Sequence, residues 1–519
     1  MASSTSDASC QEVRVAIVGT GLAGLATAHI LQNDDRKRYS VTLFEQADTL
    51  SFDSASISVR NAQTGVIERI DLPMRASAGG YYANLMMMYE YLGISFHPVK
   101  FLFVFTRNLS LSKGSGSVPN TSREYIYQSP VADPGTYFVH ASNLHQTPPP
   151  WPGTRGVIHH IAETVFLILC QAWFTLACFF VPPRTVHPFG AKLQHPRSET
   201  LAEYTERICL PRHYVSHYLL PLMCSVSTCS HEDMLKFPAS DVVSYKKLSH
   251  HHQHYTVCGG VHQVESKLAA GIQDVRTGAR VLEVLSSTES GVIVRWQTSK
   301  GTLDVTEETF DRVVLAVSPD VVGRIFKPLR SKMEMIPTRR VDSSVLVPMA
   351  AEPDIYSIVN NTEIPAGVCM HHQVEIQDTQ TINLRTQFIR GDTQTEALHR
   401  IPSGLVVCTC SLDLSPEAET LYTSTFTRVL RTSESRAIVQ SITDRPGFSS
   451  KRDRDINDWN RWKNGEGNVW LTGAWCWDGM VLLEGCVVSA MRVAEEFGVT
   501  VPWKKSTTNN HVMLDEGQS

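Results

Sequence analysis

Long runs of a single charge are missing from this sequence. Its 519 residues carry a formal net charge of −5, and its basic residues form no polybasic cluster. A nucleic-acid partner needs a strongly basic surface, and dense basic segments are typical of proteins that bind anionic membranes. The charge pattern therefore argues against nucleic acid as a partner, and the basic segments of an anionic-membrane binder are not there.

A disulfide framework is missing as well. Twelve cysteines are scattered from Cys10 to Cys486, and the Cys408-x-Cys410 pair has no companion pair at the spacing of a zinc site. The first twelve residues are polar and contain neither a basic nor an apolar region of the kind found in secretory signals. We therefore expect free thiols in a cytoplasmic protein, with disordered tails at 1–12 and 502–519.

What the sequence does contain is a glycine-rich turn between a short apolar strand and an apolar helix. Gly19-x-Gly21-x-x-Gly24 follows the strand at 15–18, and a second strand ends at Glu45. Such a turn lets backbone N–H groups at a helix start meet a pyrophosphate, and an acid about 20 residues later can bind ribose hydroxyls. The motif predicts a dinucleotide site; the alternative is an ordinary glycine-rich turn in an α/β sheet.

One apolar stretch, residues 165–181, stands out before Pro182-Pro183. Its seventeen residues lie at the lower limit for a helix that spans a membrane. A single crossing would separate pieces of one nucleotide-binding domain across the bilayer. We therefore expect a buried helix that lines an apolar substrate cavity, with contact to a membrane surface or a true span as alternatives.

The chain is too long for one hydrophobic core, so at least two domains are expected. Strand patterns occur at 280–284, 291–296 and 311–317, an antiparallel sheet with helices is expected over 332–445, and a final strand and helix are expected at 468–474 and 484–497. These patterns assign 13–105, 255–330 and 451–501 to a nucleotide-binding domain, and 106–254 and 331–450 to a substrate domain.

Four histidines, His250, His251, His252 and His254, are a possible transition-metal site. They are nearly contiguous, which is not the usual helical ligand spacing, and no acid or cysteine lies a few residues before them. We therefore predict no metal and interpret the segment as a partly buried loop. The alternative is that one histidine, with His254 as the candidate, acts on a substrate.

In this order the motifs resemble the flavin-containing amine oxidase superfamily. The closest resemblance is to the predicted NAD/FAD-binding oxidoreductases related to amine oxidases and phytoene desaturases. Four landmarks over roughly residues 14–499 carry it: the glycine turn with Glu45; Leu-Leu-Pro-Leu at 219–222 with Phe-Pro-Ala at 237–239; Cys-Gly-Gly-Val at 258–261 with the strands that follow; and Leu-Thr-Gly-Ala-Trp at 471–475 with Glu-Gly-Cys-Val-Val-Ser-Ala at 484–490. The resemblance implies an α/β fold: a Rossmann-like FAD-binding domain of the amine oxidase type with an inserted α+β substrate domain.

The resemblance also implies FAD as the cofactor. The Glu484-Gly485 pair matches the family motif E-G-x-x-x-S-[GA], in which a second helix N-terminus points at the cofactor. The implied cofactor contacts are Gly19, Gly21, Leu22, Ala23, Gly24, Glu45, Val281, Gly473, Glu484 and Gly485.

The sequence departs from the family at three places. The family shows an R-x-G-G or G-G-H turn after the acid, whereas residues 49–54 contain no glycine. Amine oxidases place a tyrosine of their aromatic cage two residues before the E-G pair, where this chain has Leu482. The usual acid after the C-terminal glycine is replaced by Ala474. These departures argue against an amine substrate but not against a flavin.

Trp477 and Asp478 follow a turn that lies close to the flavin ring in the family. Trp477 is a candidate wall of the substrate cavity and Asp478 a candidate polar anchor. The alternative is that the tryptophans of this segment only pack the interface between domains. With His254, these two residues are the candidates for catalysis.

The resemblance implies an FAD-dependent oxidoreductase: an oxidase, dehydrogenase or desaturase. The apolar stretch at 165–181 and Leu482 favour a hydrophobic small molecule as substrate, and the resemblance extends this to specialised metabolism. Two alternatives remain. One is a redox-neutral isomerase or cyclase that keeps the flavin, and the other is a degenerate FAD fold used as a binding module.

Overall fold

A computed structural model describes residues 12–107, 136–141, 156–186, 197–287, 291–298, 304–347, 355–359, 379–389, 391–412, 419–443 and 462–504. The predicted disordered tails lie outside these ranges except at residue 12 and at 502–504. The second exception corrects the prediction, because Trp503 is 1% exposed and packs in the main core.

The described chain contains the following strands and helices, each set given in chain order. The strands are β1 (Val13–Val18), β2 (Tyr39–Phe44), β3 (Ile57–Asn61), β4 (Ile67–Ile70), β5 (Ala76–Ala78), β6 (Phe96–Arg107), β7 (Thr136–Ala141), β8 (Thr185–Val186), β9 (Arg197–Ser198), β10 (His254–Val257), β11 (Asp274–Arg276), β12 (Ala279–Ser287), β13 (Gly291–Thr298), β14 (Val305–Phe310), β15 (Arg312–Leu315), β16 (Thr338–Val347), β17 (Tyr356–Val359), β18 (Thr379–Ile389), β19 (Asp392–Arg400), β20 (Val406–Thr409), β21 (Glu419–Val429) and β22 (Val469–Leu471). The helices are α1 (Leu22–Gln32), α2 (Ala83–Tyr91), α3 (Gly156–Phe180), α4 (Leu201–Arg207), α5 (Arg212–Tyr214), α6 (Leu220–Ser227), α7 (His231–Leu235), α8 (Ala239–Ser249), α9 (His262–Ala269), α10 (Pro319–Ile325), α11 (Arg330–Met333), α12 (Ser433–Thr443) and α13 (Leu483–Glu496). A π-helical turn, Val215–Leu219, joins α5 to α6.

A five-stranded parallel sheet carries the glycine-rich turn. Its order is β11-β2-β1-β15-β22, so strands from the beginning, middle and end of the described chain lie side by side. β1 and β15 read as nearly continuous apolar runs because helices and a second sheet cover both faces of this sheet. The strands predicted at 280–284, 291–296 and 311–317 are confirmed as β12, β13 and β15, and the final helix as α13.

A nine-stranded sheet forms the second layer of the fold. Its order is β21-β16-β20-β19-β18-β6-β10-β5, with β7 paired to β6. It is mostly antiparallel, as expected for 332–445, but β6 and β18 run parallel. Since β5, β6 and β10 belong to this sheet, it includes residues that the sequence-based division assigned to the nucleotide-binding domain.

Helix α3 is longer than the apolar run predicted from sequence and is buried on one side only. Leu167, Phe174 and Ala177 are 8%, 2% and 1% exposed and pack in the main core. Residues Ile161–Phe180 are long and apolar enough to cross a membrane by length and composition, yet only 22% of that stretch is buried. The expectation of a buried helix is therefore wrong for the opposite face, which no described residue covers.

Two buried histidines make the fold sensitive to acid. His399 Nε2 donates to Gln380 Oε1 at 2.6 Å, and His231 Nε2 lies 2.8 Å from Thr395 Oγ1. Burial lowers the pKa of each imidazole from 6.5 to about 4. The unfolded chain therefore binds more protons below pH 6.5 than the folded chain, and the fold loses stability as the pH falls.

We expect each of these histidines to reduce the free energy of unfolding by about 2 kcal/mol between pH 7 and pH 5. His399→Gln should remove its share, which urea unfolding at the two pH values measures directly. His252→Gln is the matched control because His252 is exposed, and it should keep the wild-type pH dependence. An unchanged pH dependence in His399→Gln would contradict this assignment.

Candidate active site

The carboxyl edge of the parallel sheet brings together residues from distant parts of the chain. β1 leads into Gly19, β2 into Glu45 and β22 into Gly473. The Gly19 N–H donates to the carbonyl of Phe44 at 2.8 Å, which joins two of these strand ends. Ligands of open α/β sheets bind in the crevice outside this edge.

The three glycines of the turn have different surroundings. Gly19 has φ +102°, and a Cβ there would lie 2.6 Å from the carbonyl oxygen of Ala316. A Cβ on Gly24 would lie 2.0 Å from the Gly19 oxygen, so only glycine lets α1 sit this close to the sheet. A Cβ on Gly21 would meet nothing within 4 Å. Open space therefore lies in front of α1, at a helix start with no side-chain cap.

Glu45 is held beside this turn by the chain itself. Its Oε2 accepts from the Thr20 hydroxyl at 2.7 Å and from the Thr20 N–H at 3.2 Å, and its Oε1 accepts from the Ala47 N–H at 2.9 Å. A carboxylate offers about four acceptor positions, so one is left for a ribose hydroxyl. Thr20 was missed by the sequence analysis because it occupies a variable position of the glycine motif.

The turn at residues 49–54 holds its shape without glycine. The Ser51 N–H donates to the Thr20 hydroxyl at 2.9 Å, and Arg75 Nη2 donates to the Phe52 carbonyl at 2.7 Å. The Arg75 guanidinium also lies 4.2 Å from the centre of the Phe52 ring. Arg75 Nη1 is buried and finds no hydrogen-bond partner in the part of the chain described here, which leaves a donor for a bound anion.

The C-terminal glycine turn is fixed by Ser489. Its hydroxyl accepts from the Gly473 N–H at 2.9 Å and lies 3.1 Å from the Gly473 oxygen. Trp477 then packs on the start of α13, since a Cβ on Gly485 would lie 2.4 Å from the indole nitrogen. That nitrogen donates to the carbonyl of Met480 at 3.0 Å. Gly485 is thus required by the close approach of Trp477.

Glu484 uses its carboxylate to cap another helix. The carboxylate accepts from the Asn84 N–H at 3.0 Å, the Asn84 amide at 2.6 Å and the Leu85 N–H at 3.0 Å, at the start of α2. Burial raises the pKa of this carboxyl, which is 3% exposed. The side chain is therefore committed to α2, and a contact of Glu484 with the cofactor stays a prediction.

The remaining predicted residues are spread around this edge. Val281 lies in β12 at a bulge and packs in the core that also contains Phe44. Asp478 is exposed and contacts Gln440 at 3.2 Å and Arg492 at 3.6 Å. His254 pairs across the sheet with Ala78, and burial lowers its pKa. Asp478 thus faces charged and polar neighbours near the surface, whereas His254 lies inside.

An aromatic cluster that the sequence analysis missed lies between α2, α8 and the C-terminal turn. The Tyr81 ring is 5.3 Å from the Tyr82 ring, 4.8 Å from the Tyr245 ring and 5.9 Å from the Trp477 ring. The Tyr81 hydroxyl accepts from the Met480 N–H at 3.1 Å. Burial raises the pKa of Tyr245 to about 12, so this phenol stays neutral. The cluster is an apolar wall beside the start of α13.

No group of three or more histidine, cysteine, aspartate or glutamate side chains among the described residues is arranged to hold a metal ion. The ring centres of His250 and His251 lie 3.9 Å apart with the ring planes inclined by 53°, while His254 lies separately in β10. The ten cysteines within the described ranges are free thiols.

Comparisons with known proteins agree with this geometry. Residues 17–92 match the sequence model of the NAD(P)-binding Rossmann-like domain, and residues 189–353 match that of the flavin containing amine oxidoreductases. No curated protein sequence matches the chain.

Two solved structures share its fold. Cyclohexylamine oxidase from Brevibacterium oxydans IH-35A is 14% identical, with a TM-score of 0.51, over 94% of this chain and 100% of that one. A CLA-producing fatty acid isomerase from P. acnes is 11% identical, with a TM-score of 0.50, over 94% and 99%.

Two family models thus identify a Rossmann-like segment and a flavin containing amine oxidoreductase segment in this chain, and both support its resemblance to the flavin-containing amine oxidase superfamily. The resemblance inferred from its motifs, its α/β fold and its assignment as a flavin-dependent oxidoreductase with FAD as the cofactor are confirmed. The residues present fit that cofactor. Open space at Gly21, uncapped N–H groups at α1, a spare acceptor on Glu45 and a spare donor on Arg75 all lie at or beside the carboxyl edge of the sheet.

Gly21 and Gly24 allow a test of the cofactor site. Gly21→Val should leave the free energy of unfolding of the apoprotein nearly unchanged, because its side chain enters open space, yet it should remove bound FAD by filling the pyrophosphate position. Gly24→Ala should instead destabilise the apoprotein, since its Cβ meets the Gly19 oxygen. Urea unfolding and flavin absorbance per chain measure the two effects. Stoichiometric FAD in Gly21→Val would show that the diphosphate binds elsewhere.

Glu484 tests the link between α13 and α2. Glu484→Ala leaves three donors at the start of α2 without this acceptor and should lower the free energy of unfolding by about 3 kcal/mol, whereas Glu484→Gln keeps one acceptor oxygen and should lower it by about half as much. Urea unfolding of the apoprotein measures both variants. Equal stability of Glu484→Ala and the wild type would contradict the capping role.

Proposed function

We propose that this oxidoreductase acts on a neutral, hydrophobic small molecule as an oxidase, dehydrogenase or desaturase, and that it discriminates against cationic amines. The supporting observation is the balance of charge around the C-terminal turn. Three described carboxylates lie at this turn or beside the arginines next to it, and each already has a partner within the chain: Asp241, Asp478 and Glu484. A buried guanidinium lies directly beneath the turn.

The buried cation is Arg431, which is 2% exposed. Its Nη2 donates to the carbonyls of Trp475 at 3.1 Å, Trp477 at 3.0 Å and Gly479 at 3.3 Å. Burial lowers the pKa of Arg431 to about 10, so the group is still charged at neutral pH. A positive charge thus sits behind the turn that carries Trp477.

The carboxylates nearby are each engaged by a group of the chain. Asp241 is 1% exposed and lies between Arg436, with which it forms an ion pair, and Arg431, whose Nε is 3.8 Å from Asp241 Oδ2. Glu484 caps α2, and Asp478 contacts Arg492. An alkylammonium ion would meet buried positive charge without a compensating partner, which is costly in a medium of low dielectric constant.

The side chains at this end favour apolar ligands. Leu482 is 7% exposed at the start of α13, where amine oxidases of the family carry a cage tyrosine, and Met480 is fully buried. Together with Tyr81 and Trp477 they supply an apolar surface that excludes water. A specialised-metabolite intermediate is a substrate of this kind, and we include it in the proposal.

When bound, FAD supplies an acceptor for the electron pair that leaves the substrate. The chain supplies orientation by the aromatic cluster and exclusion of water by Leu482 and Met480. His254 is our candidate to hold a substrate proton, because burial keeps its imidazole neutral at pH 7 and its Nδ1 has no hydrogen-bond partner within the described residues.

A matched pair of substrates tests the proposal. Holoenzyme with about one FAD per chain is mixed anaerobically with a series of hydrophobic alcohols or alkenes and with amines of the same carbon skeletons. We expect lasting loss of the oxidised flavin absorbance with members of the neutral series, and at least roughly tenfold slower loss with the amines. Faster reduction by the amines would overturn the discrimination against cations.

The same experiment distinguishes the proposed oxidation from the second candidate function, a redox-neutral reaction. One protein that shares the fold is described as a fatty acid isomerase. An isomerase would convert its substrate without lasting loss of the oxidised flavin absorbance.

Leu482 provides a specificity test. Leu482→Glu places a carboxylate at the start of α13, where the helix dipole favours a negative charge. The ratio of kcat/KM for amine to that for its neutral analogue should rise roughly tenfold, because the new charge pairs with the ammonium. Leu482→Gln is the matched control of equal size and should leave the ratio unchanged. An equal effect of both variants would mean that charge does not set the preference.

A further inference from the structure

Helix α3 exposes an apolar face along its whole described length. Nine large apolar side chains on this face are between 43% and 82% exposed: Ile158, Ile161, Val165, Ile168, Leu169, Trp173, Leu176, Phe179 and Phe180. Ala162 and Ala172 lie between them. At 3.6 residues per turn these positions cover roughly 140° of the helix surface. We call this surface the α3 apolar face; among its described side chains none is polar.

Hydrogen bonds and a buried stripe fix α3 to the protein, and one of these bonds comes from Trp173 at the edge of the α3 apolar face. Trp173 Nε1 donates to the carbonyl of Ile208 at 2.8 Å, and the Tyr204 hydroxyl donates to the carbonyl of Val181 at 3.0 Å. Glu163 accepts from the Tyr218 hydroxyl and lies 3.0 Å from His213 Nε2. These bonds and the buried stripe keep α3 against α4, α5 and the π-helical turn, and α3 also packs on α8. The helix therefore cannot cross a bilayer without dismantling this core.

Basic side chains lie near both ends of the α3 apolar face. At its C-terminal end Lys247 Nζ lies 5.7 Å from the centre of the Phe179 ring, and the His250 ring lies 5.7 Å from the same ring. Leu248, 50% exposed, extends the apolar surface there. Nearer its N-terminal end the exposed Arg212 precedes His213, whose ring is 5.8 Å from that of Phe166.

This basic rim comes from segments far apart in the chain, namely 212–217 and 247–252. The sequence therefore shows no polybasic run, although the fold brings Arg212 and Lys247 beside one apolar surface. His250 adds no charge at pH 7, because burial and the neighbouring Lys246 lower the pKa of its imidazole. A line of apolar side chains flanked by cations complements an anionic bilayer, in which acyl chains lie beneath negative headgroups. A protein partner would instead need about one hydrogen bond per 100–200 Å² of interface, which this face does not offer through its described side chains.

We propose that the α3 apolar face docks on the surface of an anionic lipid bilayer, with α3 lying in the plane of the interface. The helix is about 38 Å long, which is more than the thickness of the hydrocarbon core. Lying in the plane of the interface, it contacts the acyl boundary along this length. The basic rim then meets the headgroups, and the nine-stranded sheet remains outside the bilayer.

Vesicle flotation of the full chain, purified with FAD, tests the proposal. We expect binding to vesicles of 70% phosphatidylcholine and 30% phosphatidylserine, weaker binding to pure phosphatidylcholine, and a further loss at high salt. Leu169→Asp with Leu176→Asp should weaken binding at least tenfold, because both side chains, 65% and 50% exposed, would carry charge into the acyl region.

The matched control is Val305→Asp with Met335→Asp. These residues are 55% and 58% exposed on other elements, and this variant should float like the wild type. Lys247→Glu with Arg212→Glu should reduce binding to the phosphatidylserine vesicles by roughly tenfold or more and leave binding to pure phosphatidylcholine nearly unchanged. Flavin content and the urea midpoint verify that each variant is folded.

Four outcomes would overturn the proposal. The wild type fails to float with anionic vesicles, or Leu169→Asp/Leu176→Asp floats as well as the wild type. Alternatively, sedimentation velocity without lipid shows a dimer that the same variant dissociates, which would assign the face to a second copy of the chain. Resistance of the bound protein to alkaline carbonate would indicate a span and would equally contradict docking in the interface.

Discussion

The close approach of α1 to the parallel sheet is the contact on which the site depends. A single Cβ on Gly24 would meet the Gly19 carbonyl oxygen at 2.0 Å, so the helix can start where it does only because both positions are glycine. This start leaves open space at Gly21 and places Thr20 against Glu45. β15 and β22 then complete the edge from which Gly473 and α13 follow. The residues predicted to contact the cofactor, from early and late parts of the described chain, are thereby positioned by one backbone contact.

Sequence patterns predicted the elements of the parallel sheet well, because strands buried on both faces read as apolar runs bounded by glycine or proline. The nine-stranded sheet was predicted only as an antiparallel region. Its parallel pairing of β6 with β18 joins segments far apart in sequence, for which no local pattern exists. For α3 the prediction was wrong on one face. Both faces of this helix are apolar, so periodicity carries no information about which one the core covers.

At the site, the glycine positions were predictable because a turn and a close approach each demand glycine. The side chains that support them were not. Thr20, Arg75 and Arg431 act through backbone groups far away in sequence, and none belongs to a recurring motif. The same holds for Glu484, whose position was marked by the E-G pair but whose carboxylate caps a helix about 400 residues earlier. Long-range capping of this kind has no sequence signature.

That cap also has a consequence for the order of synthesis. The N-terminal glycine turn, Glu45 and α2 leave the ribosome first, yet α2 has no acceptor for its leading N–H groups until Glu484 emerges. Strand β22, which closes one edge of the parallel sheet, is made at the same late stage. The nascent chain therefore carries an incomplete nucleotide-binding domain through most of translation. Cofactor loading becomes a property of the finished polypeptide, and a chain truncated before α13 would be released as an apoprotein open to proteolysis.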